Sequence, residues 1–92
     1  MAARWPTYPP CYNPGCQTPH CCARGYKYTW PDVVGKDASE AKAIIEHDNP
    51  LVSVVFIKKG QLWLTDYCCS RVYVFLDENL KVSSKPSLPV VG

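Results

Sequence analysis

The chain has 92 residues, of which 47% are hydrophobic and 20% charged, and its formal net charge is +2. This length suits a single domain. A net charge of +2 is too small to indicate the clustered basic surface of a nucleic-acid-binding protein. The apolar runs are well short of the roughly 18 residues of a membrane-spanning helix. We therefore expect one soluble, monomeric domain without a nucleic-acid or membrane partner.

Residues 1–27 contain five of the nine prolines and four of the six cysteines. Each proline removes a backbone donor and biases the preceding residue toward extended conformations, so we expect an irregular arm that is cross-linked or partly mobile. So many cysteines in a short chain also predict a disulfide framework. The candidates are Cys11, Cys16, Cys21, Cys22, Cys68 and Cys69.

The compartment stays open at this stage. The cysteine content favours a secreted or vacuolar protein over a cytoplasmic one, whereas the first residues lack the charged start and apolar run of a secretory leader. Neighbouring side chains of an extended segment point to opposite faces, so Cys68 and Cys69 should have separate partners. Spacing alone does not choose among the 15 pairings that six cysteines allow.

Zinc binding is the alternative use of the arm. Thiolate and imidazole are the donors that zinc prefers, but the paired Cys-x-x-Cys knuckle is absent, so we expect no metal and no other cofactor. The residues that could serve as zinc ligands are Cys11, Cys16, His20, Cys21 and Cys22.

A helix is predicted for residues 38–47. Asp37 and Glu40 have the spacing of an N-terminal capping box and place negative charge at the positive end of the helix. Asn49, followed by a proline, ends it. The predicted buried stripe is Ala41, Ile44 and Ile45, with Lys42 and Glu46 on the exposed side.

Two strands follow the helix. Residues 51–57 and 71–76 are rich in β-branched side chains, and residues 80–82 could add a short edge strand. The connection 61–70 is longer than the usual hairpin loop of about two to five residues. Long ordered loops commonly carry function.

The motifs Trp30-Pro31, Val33-Val34-Gly35, Ala41-Lys42, Arg71-Val72 and Phe75-Leu76-Asp77, in this order, resemble those of the potato inhibitor I family. The resemblance covers about residues 28–92 and leaves residues 1–27 as an arm. It implies an α+β fold, with one helix packed on a small mixed sheet that has two central parallel strands. It also implies an exposed loop that inhibits a serine protease by binding like a substrate, and therefore no enzymatic activity.

The resemblance places the scissile bond between Thr65 and Asp66. It implies that Trp63, Leu64 and Tyr67 contact the protease. A small residue at the specificity position fits an elastase-like or subtilisin-like enzyme better than trypsin.

The resemblance also implies how the loop is held. Arg71 matches the arginine that supports the family's loop, and Tyr73 occupies the position of a second supporting arginine. Leu64 replaces the usual threonine before the scissile position. Some relatives bond a cysteine at the position of Cys69 to one shortly before the Trp-Pro motif, which here implies Cys22 or Cys21.

The competing hypothesis is a binding module of the same fold that does not inhibit. Trp63 and the proline-aromatic arm would then hold another partner. For Trp63 itself, a contact with an enzyme and a contact with the arm both stay open. Trp30 is expected in the core. No Ser/His/Asp or Cys/His motif supports an enzyme.

Overall fold

The computed structural model describes residues 15–63, 67–85 and 87–92. Within them, two α-helices, one short 3-10 helix (Pro31–Val33) and two strands are formed. The α-helices and strands are α1 (Pro19–Ala23), α2 (Ala38–Asp48), β1 (Ser53–Ile57) and β2 (Arg71–Phe75). In this part of the chain no helix has the length and hydropathy needed to cross a membrane.

The short helix α1 was not expected from the proline-rich sequence. Thr18 accepts a hydrogen bond from the backbone N–H of Cys21 at 3.2 Å, and Pro19 stands at the first helical position, where a missing N–H costs nothing. Cys22 and Ala23 at its end are buried. The expectation that proline excludes regular structure from the whole arm is therefore wrong for these five residues.

Helix α2 confirms the predicted element and extends it by one residue, to Asp48, with Asn49 as its C-cap. Ala41 and Ile45 are fully buried, and Lys42 pairs with Glu46 at 2.7 Å on the exposed side. The predicted capping box does not form, because the Asp37 carboxylate accepts a hydrogen bond from Lys81 instead of a helix N–H.

The strands β1 and β2 pair in parallel, from Ser53 opposite Arg71 to Ile57 opposite Phe75. Isolated antiparallel bridges join Val72 to Val91 and join residues 76 and 82, so the pairing around this sheet is mixed, as expected. In the predicted edge strand 80–82, Lys81 and Val82 form isolated bridges and no strand is formed.

The two faces of the sheet have different neighbours. Val72 and Val74 point to the face covered by α2, where they share a core with Trp30, which is itself completely buried. Trp30 Nε1 donates a hydrogen bond to Asp48 Oδ2 at 3.1 Å, so its polar atom is satisfied as well. Phe75 and Tyr73 of β2 form a second apolar cluster with Val55 and Ile57 of β1 on the opposite face of the sheet. The loop after β1 passes over that face, where Trp63 contacts Phe75.

Candidate functional site

The candidate loop leaves β1 after Ile57 and returns at the start of β2. A turn begins it, in which the Gln61 N–H donates to the Lys58 carbonyl and the Lys58 N–H donates to Gln61 Oε1, each at 2.9 Å. The described chain reaches Trp63 and resumes at Tyr67. Leu64, Thr65 and Asp66 lie outside the described residues, so their assigned roles stay predictions.

Trp63 packs against the strand beneath the loop. Its ring meets the Phe75 ring edge-on, with centroids 4.9 Å apart, and it remains 37% exposed. Tyr73 lies beside Phe75 at 6.2 Å. Phe75 was not among the predicted site residues, although the alternation of β2 places it on the same face as Arg71 and Tyr73.

Arg71 is almost completely buried, at 2% exposure, at the point where the loop joins β2. Its Nε donates a hydrogen bond to the Gly92 oxygen at 3.1 Å. Its guanidinium lies 4.4 Å from the centre of the Tyr73 ring, within the range of a cation–π contact. Tyr73, which stands at the position of the expected second supporting arginine, thus packs against Arg71.

Gly92 is a second residue that sequence reasoning missed. Its N–H donates to the Arg71 carbonyl at 2.9 Å, and its φ of +145° is one that residues with side chains rarely adopt. A Cβ at this position would lie 2.9 Å from Cε1 of Tyr67. Burial raises the pKa of the Tyr67 hydroxyl. The returning end of the loop is therefore packed tightly against residues 91–92.

Disulfides anchor the same end of the loop. Cys69 is bonded to Cys22 across 47 residues, one of the two pairings that the resemblance implied, and Cys16 is bonded to Cys21. Cys68 is disulfide-bonded too, and it is buried.

The disulfides bear directly on the zinc alternative. The sulfur atoms of Cys16, Cys22 and Cys69 lie within 4.8 Å of one another, but this cluster is the meeting point of two disulfides. A sulfur in a disulfide is not the thiolate that zinc requires. The geometry therefore favours a covalent staple at the base of the loop, and Cys11 lies outside the described residues.

The comparisons with known proteins agree with this arrangement. The chain is similar to "Glu S.griseus protease inhibitor" of Momordica charantia, with 37% identity over 67% of this chain and 91% of that protein. It is similar to "Inhibitor of trypsin and hageman factor" of Cucurbita maxima, with 39% identity over 67% and 91%. The crystal structure of bitter gourd trypsin inhibitor covers 73% of this chain and 94% of its own, at 39% identity and a TM-score of 0.67.

These likenesses match the expected α+β fold, in which one helix accompanies a small sheet with two parallel strands. The model of the potato inhibitor I family matches residues 22–92, which includes Cys22 and the end of α1 as well as the predicted domain. The chain belongs to the potato inhibitor I family, whose members are protease inhibitors and not enzymes.

Proposed function

We propose that this chain inhibits serine proteases by presenting residues 61–70 as a substrate-like loop, with Thr65 in the specificity pocket and the scissile bond between Thr65 and Asp66. Trp63, Leu64 and Tyr67 would contact the enzyme. The observation that carries the proposal is the buried Arg71, held between Gly92 and Tyr73 directly under the returning end of the loop. The relatives named as inhibitors of trypsin support inhibition of a serine protease here, and the choice of enzyme depends on residue 65.

The mechanism follows from preorganisation. A loop already fixed in its bound shape loses little conformational entropy on docking, so more of the contact energy appears as affinity. The Trp63 contact with Phe75 holds the outgoing side of the loop, and the Cys22–Cys69 disulfide holds the returning side. After cleavage both new ends would stay in place, and the peptide bond could re-form. Slow turnover then acts as inhibition.

The inhibitory unit is proposed to be residues 28–92, acting as a monomer, with residues 1–27 as a cross-linked arm. Cys22 and Ala23 of the arm join its core, which agrees with a family match that begins at residue 22. The Cys22–Cys69 bond makes this junction covalent.

The proposed preference is for elastase-like or subtilisin-like enzymes. The pocket of trypsin offers a carboxylate to a long cation and that of chymotrypsin a deep apolar slot, and threonine fills neither. Missing methylenes in such a pocket cost roughly 10- to 200-fold in discrimination. The expected ranking of inhibition therefore puts elastase and subtilisin above trypsin.

The test compares inhibition constants against elastase, subtilisin, trypsin and chymotrypsin. Thr65→Lys should strengthen trypsin inhibition by about tenfold or more, and Thr65→Leu should do the same for chymotrypsin. Ala43→Lys is the matched control, because it adds the same charge at an exposed position of α2, the helix that covers the other face of the sheet. Inactivity of the parent and of both Thr65 variants, with the fold intact, would favour the non-inhibitory binding module.

A further inference from the structure

A groove of about 370 Å³ lies beside the loop, over the face of the sheet that α2 does not cover. Except for Ser87 and Gly92, the residues that line it are aromatic or aliphatic, and they come from the loop, from β2, from the start of α1 and from residues 87–92. The largest of them are Pro19, Trp63, Tyr67, Tyr73, Phe75 and Leu88. No charged side chain of the described residues lines the groove.

We propose that the groove is the docking site of the chain's own N-terminal segment, residues 5–13, and that this segment braces the loop whose function was proposed above. The described chain begins at Gly15, four residues before Pro19 of the groove wall. Cys16 Sγ lies within 4.8 Å of Cys69 Sγ on the returning side of the loop, and Pro19 is part of the groove wall. The preceding residues therefore start next to the site that they are proposed to fill.

The disulfide state of Cys68 is the second argument. Four cysteines pair with one another, as Cys16–Cys21 and Cys22–Cys69, and Cys68 is disulfide-bonded as well. Cys11 is the one cysteine that the sequence leaves for it. Cys68 adjoins Tyr67 of the groove, so a Cys11–Cys68 bond would tether the middle of the N-terminal segment at the groove's edge.

The chemistry of the segment matches that of the groove. Residues 5–13 read Trp-Pro-Thr-Tyr-Pro-Pro-Cys-Tyr-Asn, with three aromatic residues, three prolines and no charge. Proline-rich segments dock in aromatic-lined grooves because their extended helix is largely preformed and loses little entropy on binding. A tether raises the effective concentration of the segment at its site, so modest contacts are enough to keep it there.

The consequence concerns the loop. Trp63 and Tyr67 flank the proposed scissile bond and both line the groove. A segment packed on the groove side of these two rings would restrain both sides of the loop at once and leave their outer side for the proposed contact with the protease. Tyr73 stands where the family resemblance implies the second of two supporting arginines. The arm would then take over part of the missing support.

The first experiment uses the 92-residue chain without a protease. Peptide mapping without reductant should recover Cys11 bonded to Cys68, and NMR should detect contacts between the rings of residues 5–12 and the side chains of Phe75 or Leu88. The variant C11S/C68S should speed amide exchange across residues 67–73 by about tenfold, the change that about 1.4 kcal/mol of lost contacts produces. The variant C16S/C21S, which also lacks one disulfide, is the matched control.

A second variant keeps every cysteine. Replacing Trp5, Tyr8 and Tyr12 by alanine should abolish the ring contacts and speed exchange in the same residues, whereas Tyr26→Ala, an exposed tyrosine outside the groove lining, should not. Three results would each overturn the proposal. They are the recovery of Cys11 as a free thiol, the absence of the ring contacts in NMR spectra, and a dimer in sedimentation, which would point to a second copy in the groove. None of these readouts involves a protease, so they stand apart from the test of inhibition.

Discussion

Arg71 and Gly92 hold each other through two hydrogen bonds. The Arg71 Nε donates to the Gly92 oxygen at 3.1 Å, and the Gly92 N–H donates to the Arg71 carbonyl at 2.9 Å. Because Arg71 begins β2 and Gly92 packs on Tyr67, this pair joins the sheet, residues 91–92 and the returning side of the loop. The pair is therefore placed to keep the loop in one shape.

Replacing Arg71 with alanine should turn the inhibitor into a substrate. The variant loses the bond to Gly92 and the packing of the guanidinium on Tyr73, while the proposed contact residues remain. A hydrogen bond from a charged group contributes about 1.5–3 kcal/mol, so loop cleavage should rise by roughly tenfold or more. Mass spectrometry after incubation with subtilisin would measure cleavage between Thr65 and Asp66.

Arg71→Lys is the matched control for this prediction. Lysine keeps the charge but lacks the planar fork that donates at a fixed angle and stacks on a ring, so it should restore only part of the resistance. An alanine variant that resists cleavage as well as the parent would show that the loop does not depend on Arg71.

Gly92→Ala should lower the melting temperature and loosen the loop. The new Cβ would lie 2.9 Å from Tyr67 Cε1, and alanine would also have to adopt a φ of +145°. Gly60→Ala is the control, because Gly60 also has a positive φ, of +82°, but a Cβ there meets nothing within 4 Å. The melting temperature should fall further for Gly92→Ala, because only there does the contact with Tyr67 add to the backbone strain. Equal losses would mean that backbone strain alone is responsible.

Helix α2 and both strands were predictable because their signals are local. The periodicity of Ala41 and Ile45 and the β-branched run that ends at Ile57 fix the element type within a few neighbouring residues. The partner of Asp37 was not predictable in this way, because Lys81 comes from 44 residues further along the chain and competes with the helix N–H groups for the same carboxylate.

The support of the loop was only partly predictable. The position of Arg71 followed from the family resemblance, and Phe75 could have been found from strand alternation. The role of Gly92 depends on a bridge between residues 72 and 91, which no local pattern in the sequence encodes. The pairing of Cys16 with Cys21 was equally hidden, because spacing alone leaves the cysteine pairings open.

The two described disulfides should differ in their effect on stability. In the chain-entropy model, the Cys22–Cys69 disulfide, with a sequence separation of 47, stabilises the folded state by about 4 kcal/mol, and the Cys16–Cys21 disulfide, with a separation of 5, by about 2 kcal/mol. In denaturant unfolding, the unfolding free energy should therefore fall about twice as far in C22S/C69S as in C16S/C21S. Serine in both variants keeps the substitutions alike in size. A larger loss for C16S/C21S would show that α1 contributes more than its short loop suggests.

Glu46 should make stability depend on pH. Its Oε2 accepts a hydrogen bond from the Val54 N–H at 2.9 Å and its Oε1 one from Lys42 at 2.7 Å, which ties α2 to β1. Burial raises the pKa of the Glu46 carboxyl, but the hydrogen bonds from Lys42 and Val54 and the lysine's charge outweigh it and lower the pKa below its ordinary value of 4.5.

A carboxyl whose pKa is lower in the folded state stabilises the fold above its unfolded pKa, and this contribution is lost as the pH falls through the folded value. Glu46→Gln keeps an acceptor for Val54 but cannot titrate, so its unfolding free energy should lie about 1 kcal/mol below the parent's at pH 7. That gap should close below pH 4.5, the ordinary value of the Glu46 carboxyl. Glu78→Gln is the control, because Glu78 is exposed and meets Lys59 at 3.8 Å. A gap that stays constant from pH 7 to about pH 3 would assign the loss to packing instead of charge.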